Sequence, residues 1–179
     1  MVEFANNFIA KSQTVVPFLA TLPKKFVSVY KKHPEKHLPS IFEETFLSID
    51  KQLKLVGSHQ NGCTGCVAFV EIGFGGKTTL HVANLGDTRC VLSKKGKACR
   101  LSRDHKPTEP DEQKRILAAG GIIKNGRVQG SLAVSRAFGD FLYKARGVIA
   151  TPEVDKYEIG EEDQFIVIAT DGLWDVVDD

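Results

Sequence analysis

The stretch from residue 62 to 102 restricts the fold more than any other part of this sequence. CTGCVAFVEI, TTLHVANLG, RCVLSKKG and KACRLS are short, Val-rich runs separated by turns that contain glycine. Such runs are too short for ordinary helices, and their turns leave no room for the crossovers that parallel strands need. They predict a meander of antiparallel strands.

Helical patterns lie on both sides. Over residues 2–20, Phe4, Phe8, Ile9, Val15, Val16 and Leu19 recur at close to helical spacing, which predicts a first helix that Pro17 ends or kinks. KKFVSVYKKHPEKHLP then reads as a basic, turn-rich connection. A second helix is expected from about Ser40, with Ser40 and Glu43 forming a capping box. Ile41, Phe42, Thr45, Phe46, Ile49 and Leu53 supply its apolar stripe. EPDEQKRILAAGG reads as a helix stopped at Gly120 and Gly121. Short strands are expected near Ile122–Ile123 and Arg127–Val128, with SLAVSRAFGD brief and irregular or helical. EVDKYEI and QFIVIAT read as strands, and WDVVDD begins a helix. Strands flanked and interrupted by helices, with few βαβ signatures, predict sheets covered by helices.

The chain has 179 residues, 42% of them hydrophobic and 26% charged, which suits one soluble domain with a sizeable core. Its net charge of +2 gives no reason to expect a nucleic-acid or membrane-surface partner. The charge is uneven: residues 1–60 carry eight Lys against five acids, and residues 155–179 carry nine acids against one Lys. An acidic end of this kind is either a solvated face or a cation site. No apolar run is long enough to span a membrane and no secretory signal stands at the N-terminus. With four cysteines and no export signal, the expected setting is intracellular, cytoplasmic with a nuclear pool allowed.

The candidate chemistry lies in carboxylates at strand ends. QFIVIAT runs into Asp171-Gly172, and Asp175 follows one helical turn later, so both carboxylates can face one point. Two carboxylates held that closely favour a cation between them, and hard divalent ions such as Mg²⁺ and Mn²⁺ prefer oxygen donors. The plain alternative is that Asp171 caps a helix and Asp175 is an ordinary first-turn acid. LHVANLGDTRCVL repeats the pattern at Gly86-Asp87, where the plain alternative is a hairpin turn. If the two strands are neighbours, Asp87 and Asp171 open at the same rim.

Other motifs lead elsewhere or nowhere. GFGGKTT lacks the first glycine of a phosphate-binding loop, because Glu71 stands in its place. Cys63 and Cys66 have the spacing of a redox or zinc pair, but no second pair accompanies them and strand geometry would turn them to opposite faces. His105, in Arg103-Asp104-His105-Lys106-Pro107, is a candidate general base, with a solvent-exposed or structural role as the alternative.

Taken together, ANLGDTRCVL, LSRDHKPTEPDEQKRILAAGG, RVQGSLAVSRAFGD and FIVIATDGLWDVV resemble, in order and spacing, the type 2C metal-dependent protein serine/threonine phosphatases. NGCTGCVAFV resembles a further strand of that family. The resemblance is strong over about residues 40–179 and weak over the first helix. It implies an α+β fold, a four-layer α-β-β-α sandwich of two packed, mainly antiparallel sheets flanked by helices, here incomplete at both ends within a single partial domain, 1–179. It also implies two or more Mg²⁺ or Mn²⁺ ions at one rim, phosphoprotein substrates, and attack on phosphorus by a metal-bound hydroxide. By motif matching, Asp171 corresponds to an acid of the core metal pair, and Asp87 and Asp175 to acids of a further metal. SRAFGD and the segment after it resemble a loop region beside the active-site cleft. The family's Asp-Gly-His-Gly-Gly strand, an earlier strand with a phosphate-binding Arg and a metal-binding Glu, and a final metal-binding Asp have no counterpart in this sequence. Two expectations follow: a phosphatase domain cut from a longer chain, or a catalytically incomplete phosphatase-like binding or regulatory module.

Overall fold

The structure, a computed structural model, describes residues 4–7, 16–57 and 59–179. The meander forms as its sequence pattern demands. Strand β3 (Gly65–Ile72) pairs antiparallel with β4 (Thr78–Leu85), and β5 (Arg89–Lys94) with β6 (Lys97–Arg100). β3 and β4 belong to a sheet of order β1-β3-β4-β10, with β1 at Phe4–Asn7 and β10 at Glu153–Glu158. β5 and β6 belong to a second sheet, β11-β5-β6, with β11 at Asp163–Ala169.

β3 is apolar on both faces because both are buried. Cys66 and Ala68, with Leu80 and Val82 of β4, pack against Cys90 of β5 and Ile168 of β11 between the sheets. Val67 and Phe69, with Ala83 and Leu85, pack against the helices. That helical layer is α1 (Val16–Leu19), α2 (Leu22–Lys32) and α3 (Leu38–Leu55). The stripe expected on α3 is buried in full, and Phe26 meets Phe42 at 4.5 Å and Phe69 at 5.1 Å between ring centroids. On the outer face of the second sheet, α6 (Asp171–Trp174) and the residues after it set Leu173, Trp174 and Val177 beside Val91, Phe165 and Val167. The architecture is the expected α+β sandwich of antiparallel sheets with helices outside.

Between the sheets' strands, residues 105–150 form a smaller lobe. It holds α4 (Pro110–Ala118), the short pair β7 (Ile123–Lys124) with β8 (Arg127–Val128), β9 (Phe138–Gly139), which pairs with β2 (Gly62–Cys63) from outside the lobe, and α5 (Phe141–Lys144). Ile116, Val128, Val134, Ala137 and Val148 make its core.

Four local expectations are corrected. Phe4–Asn7 is not part of a helix but pairs as a strand with Phe69–Cys66 of β3, and residues 8–15 of the expected helix lie outside the described residues. Cross-strand hydrogen bonds at an open sheet edge outweigh a helical pattern that Asn6 and Asn7 already weaken. Pro17 lies in the first turn of a helix, where its missing N–H costs nothing, and does not end one. The basic connection is mostly helix α2, because Leu22, Phe26 and Val29 bury one face at i, i+4, i+7 while the lysines stay outside. α3 begins at Leu38, without the capping box, since Pro39 suits its first turn.

Candidate functional site

Strand register brings two of the three candidate carboxylates to one rim. β11 ends at Ala169, opposite Arg89, the first residue of β5. Asp171 stands two residues beyond Ala169 and Asp87 two residues before Arg89, so antiparallel pairing carries both to the same edge. They line one cavity of about 380 Å³ with Thr64, Ala137, Asp140 and Thr170. Asp175, expected at the same rim, is not among the residues lining this cavity. Its N–H closes the single turn of α6 on the Asp171 carbonyl at 2.9 Å, and the residue is exposed. The Trp of this turn anchors it: Trp174 donates Nε1–H to the Ala169 carbonyl at 2.8 Å and lies under the Arg89 guanidinium.

The Gly86-Asp87 turn is gripped by the loop after β6. Gly86 donates its N–H to His105 Nδ1 at 3.0 Å, and the His105 N–H donates to the Gly86 carbonyl at 2.9 Å. His105 is fully buried, and burial followed by the nearby Arg136 charge pushes its pKa down to about 4. It is therefore neutral near pH 7, with Nδ1 accepting and Nε2–H directed at Glu153 Oε2, 3.4 Å away. His105 is a positioning residue, neither exposed nor a general base facing the cavity. Gly86 has φ +93°, and a Cβ there would lie 2.2 Å from the Thr64 methyl, so only glycine allows this approach. Lys106 Nζ donates to Asp87 Oδ2 from the same loop.

A buried ionic cluster holds the other wall. Glu112 of α4 has no exposed surface and accepts from Arg115 (2.6 and 2.7 Å), from Arg136 (2.7 Å) and from the Ser135 hydroxyl. Burial alone would raise its pKa, but the hydrogen bonds from Arg115, Arg136 and Ser135 outweigh this and hold it down at about 2. The cluster fixes residues 135–136, next to Val134 and Ala137 of the cavity wall. Leu132, Ala133, Val134, Ala137 and Asp140 of SLAVSRAFGD thus line this cavity.

Asp140 closes the cavity. It has a left-handed backbone (φ +49°), and its carboxylate lies so close to Gly62 that a Cβ there would meet Oδ2 at 2.1 Å. Burial first, and the Asp50 charge as well, raise its pKa to about 6, with Lys144 opposing. A raised carboxylate makes the native state hold its proton more tightly than the unfolded chain does. Its contribution to stability is therefore complete below about pH 4 and is lost as pH rises through about 6. Asp140→Asn is expected to remove this loss, gaining about 1 kcal/mol at pH 7 over wild type and nothing at pH 4. Urea melts of both proteins at the two pH values check this, and an equal difference at both would contradict it.

The cysteines stay apart as strand geometry requires. Cys63 packs in the core beside the helices and Cys66 between the sheets, so they form no zinc or redox pair. Burial pushes the Cys63 thiol up to about 12, with Asp140 and Asp50 adding to the effect.

Asp87 and Asp171 are the right kind of donor for Mg²⁺ or Mn²⁺. They are few. Among the described residues no three His, Cys, Asp or Glu side chains are grouped to hold an ion. Asp87 is already paired with Lys106, and β1, which runs to this rim beside β3, ends in Asn6-Asn7. The residues that would hold an ion supply part of a site.

Sequence reading passed over Lys106, Glu112, Arg136 and Asp140. Gly139-Asp140 repeats the Gly-Asp signature of Gly86-Asp87, which was a usable signal. No sequence signal pairs Glu112 with Arg136, 24 positions away.

Residues 12–179 match the family model described as "Protein phosphatase 2C". The chain is 45% identical over 141 residues to protein phosphatase 2C homolog 2 of Hypocrea jecorina, covering 74% of this chain and 32% of that protein. Its fold superposes on the structure of a C. elegans sex determining protein with a TM-score of 0.86 at 21% identity, over 99% of this chain and 45% of that one. On serine-threonine phosphatase 2C of Toxoplasma gondii the TM-score is 0.83 at 20% identity, over 98% and 70%. The chain spans about a third of the length of the curated relatives it matches.

Proposed function

The chain belongs to the protein phosphatase 2C family, and on that footing we propose that the protein is a Mg²⁺- or Mn²⁺-dependent serine/threonine phosphatase acting on phosphoproteins. The observation that carries this reading is the meeting of Asp87 and Asp171 in one cavity at the rim where the two sheets open. A divalent ion bound there supplies Lewis-acid activation of water and of the phosphoryl oxygens. The protein's residues hold the donors in place. β11 and β5 set the two carboxylates across from each other, His105 fixes the Gly86-Asp87 turn, and the Glu112 cluster fixes the opposite wall. Lys106 neutralises Asp87, a charge balance that a divalent ion held by Asp87 and Asp171 would supply in its place.

The test is phosphate release from a phosphothreonine peptide by the purified protein. Release is expected with Mn²⁺, should stop on adding EDTA, and should return with excess Mn²⁺. Release that EDTA leaves untouched would sink the proposal.

One observation favours a second reading, a phosphatase-like binding module without catalysis: Asp87 is paired to Lys106 and no third ligand is grouped with it among the described residues. On that reading a phosphothreonine peptide binds, yet no phosphate is released at any Mn²⁺ concentration.

A further inference from the structure

The two long helices on the outside of the first sheet frame a groove that neither the cavity nor its supporting network uses. α2 and α3 are joined by a short connection and run back along each other, as short helix–helix links favour. Between them lies a groove of about 830 Å³. Lys25 and Lys32 of α2 stand seven residues apart on its α2 wall, with Lys24 beside them. Val29 forms the floor, and Ser28 on one side and Ser48 on the other are small enough to leave the furrow open. At one end Leu55 is 79% exposed and Val56 47% exposed.

The charge in this groove is unbalanced. Among the described residues no ion pair is made by Lys24, Lys25 or Lys32. The acid on the facing wall, Glu44, is engaged chiefly by Lys36, which donates to it at 3.0 Å and holds its pKa below the usual range, with the Lys32 charge a weaker contributor. A furrow with three lysines against one acid, itself held by Lys36, and an exposed aliphatic end is complementary to an acidic chain with an aliphatic end.

We infer that the α2–α3 groove docks an acidic peptide segment of a partner protein, with aliphatic side chains of that segment resting on Leu55 and Val56. The helical rise puts Lys25 and Lys32 about 10 Å apart. An extended peptide covers that distance in about three residues, so a short run of Glu and Asp matches the spacing. The concave shape favours a peptide over a lipid surface, which would meet a convex basic face with apolar groups projecting along its length. The groove shares no residue with the cavity of Asp87 and Asp171, so docking here is independent of hydrolysis.

The experiment measures fluorescence anisotropy of a labelled peptide in which a Glu-Asp-Glu-Glu-Asp run is followed by Leu-Ile, titrated with the purified protein. Saturable binding that weakens with salt is expected. The triple variant K24E/K25E/K32E should bind at least about ten-fold more weakly and L55S several-fold more weakly, because they remove the cations and the apolar contact. A matched reversal on another face, K97E/K124E/R127E, should change affinity less than about two-fold. All four substituted groove side chains project from helix surfaces, and circular dichroism confirms that the variants stay folded. Equal weakening by the two triple variants would assign the binding to net charge and overturn the inference. So would the absence of saturable binding, or binding to phosphatidylserine vesicles without binding to the peptide.

Discussion

Glu112→Ala is expected to lower the free energy of unfolding by about 3–5 kcal/mol, the usual cost of removing one partner from a buried ionic cluster. The carboxylate has no exposed surface and satisfies Arg115, Arg136 and Ser135 together. Without it, Arg136, only 11% exposed, keeps the Thr151 carbonyl at 3.1 Å and a long approach to Glu153 at 3.8 Å, too little to balance a desolvated guanidinium. Urea unfolding measures the loss. Adding Arg136→Met to Glu112→Ala should recover part of it, since the orphaned charge is then gone. The pH dependence gives a second reading. Because the folded pKa of Glu112 is depressed to about 2, its contribution is complete above about pH 4.5 and disappears as pH falls toward 2. The difference between wild type and Glu112→Ala should therefore shrink over that window. A loss below about 1 kcal/mol at pH 7 would show that the cluster adds little.

Asp171→Asn is expected to reduce Mn²⁺-dependent phosphate release by about 100-fold or more while leaving stability within about 0.5 kcal/mol of wild type. The side chain is exposed at the start of a one-turn helix, and the bonds that close that turn run from Leu173 and Trp174 to the Thr170 carbonyl, without using the Asp171 carboxylate. Asparagine keeps the shape and removes the charge that a divalent cation needs. Asp175→Asn tests the geometry of the rim. Since Asp175 does not line the cavity, its substitution should cost much less, within about ten-fold. Equal losses at the two positions would mean that both carboxylates hold an ion in the working protein. Release unchanged in Asp171→Asn would remove Asp171 from the site. Measuring kcat and KM separately, with Mn²⁺ varied, shows whether lost activity returns at high metal concentration, as it should if the substitution acts through ion affinity.

Much of the scaffold was legible because its periods are strong. The short Val-rich runs of β3 and β4 between glycine-containing turns, the stripe Ile41–Leu53 on α3 and the Gly-Gly stop after α4 are local signals, and each element formed where its pattern placed it. The N-terminal third was less legible. Phe4–Asn7 carries a helical pattern but pairs with β3, and the lysines of α2 mask an apolar face of only three residues. In both places the deciding partner is distant in sequence.

The candidate site divides along the same line. Sequence alone marked Asp87 and Asp171, because a carboxylate after an apolar strand is a local pattern, and it marked SRAFGD, residues 135–140, and the segment after it by resemblance. Only the tertiary structure decided that β11 pairs with β5 so as to bring those two carboxylates together, that Asp175 stays outside the cavity, and that Lys106 occupies Asp87. It also turned His105 from a candidate base into a buried clamp and joined Glu112 to Arg136. The physical reason is range. Periodicity, turns and caps act over a few residues and are written into neighbouring positions, whereas strand register, ion pairing and desolvation depend on which distant groups the packed core brings within a few ångströms.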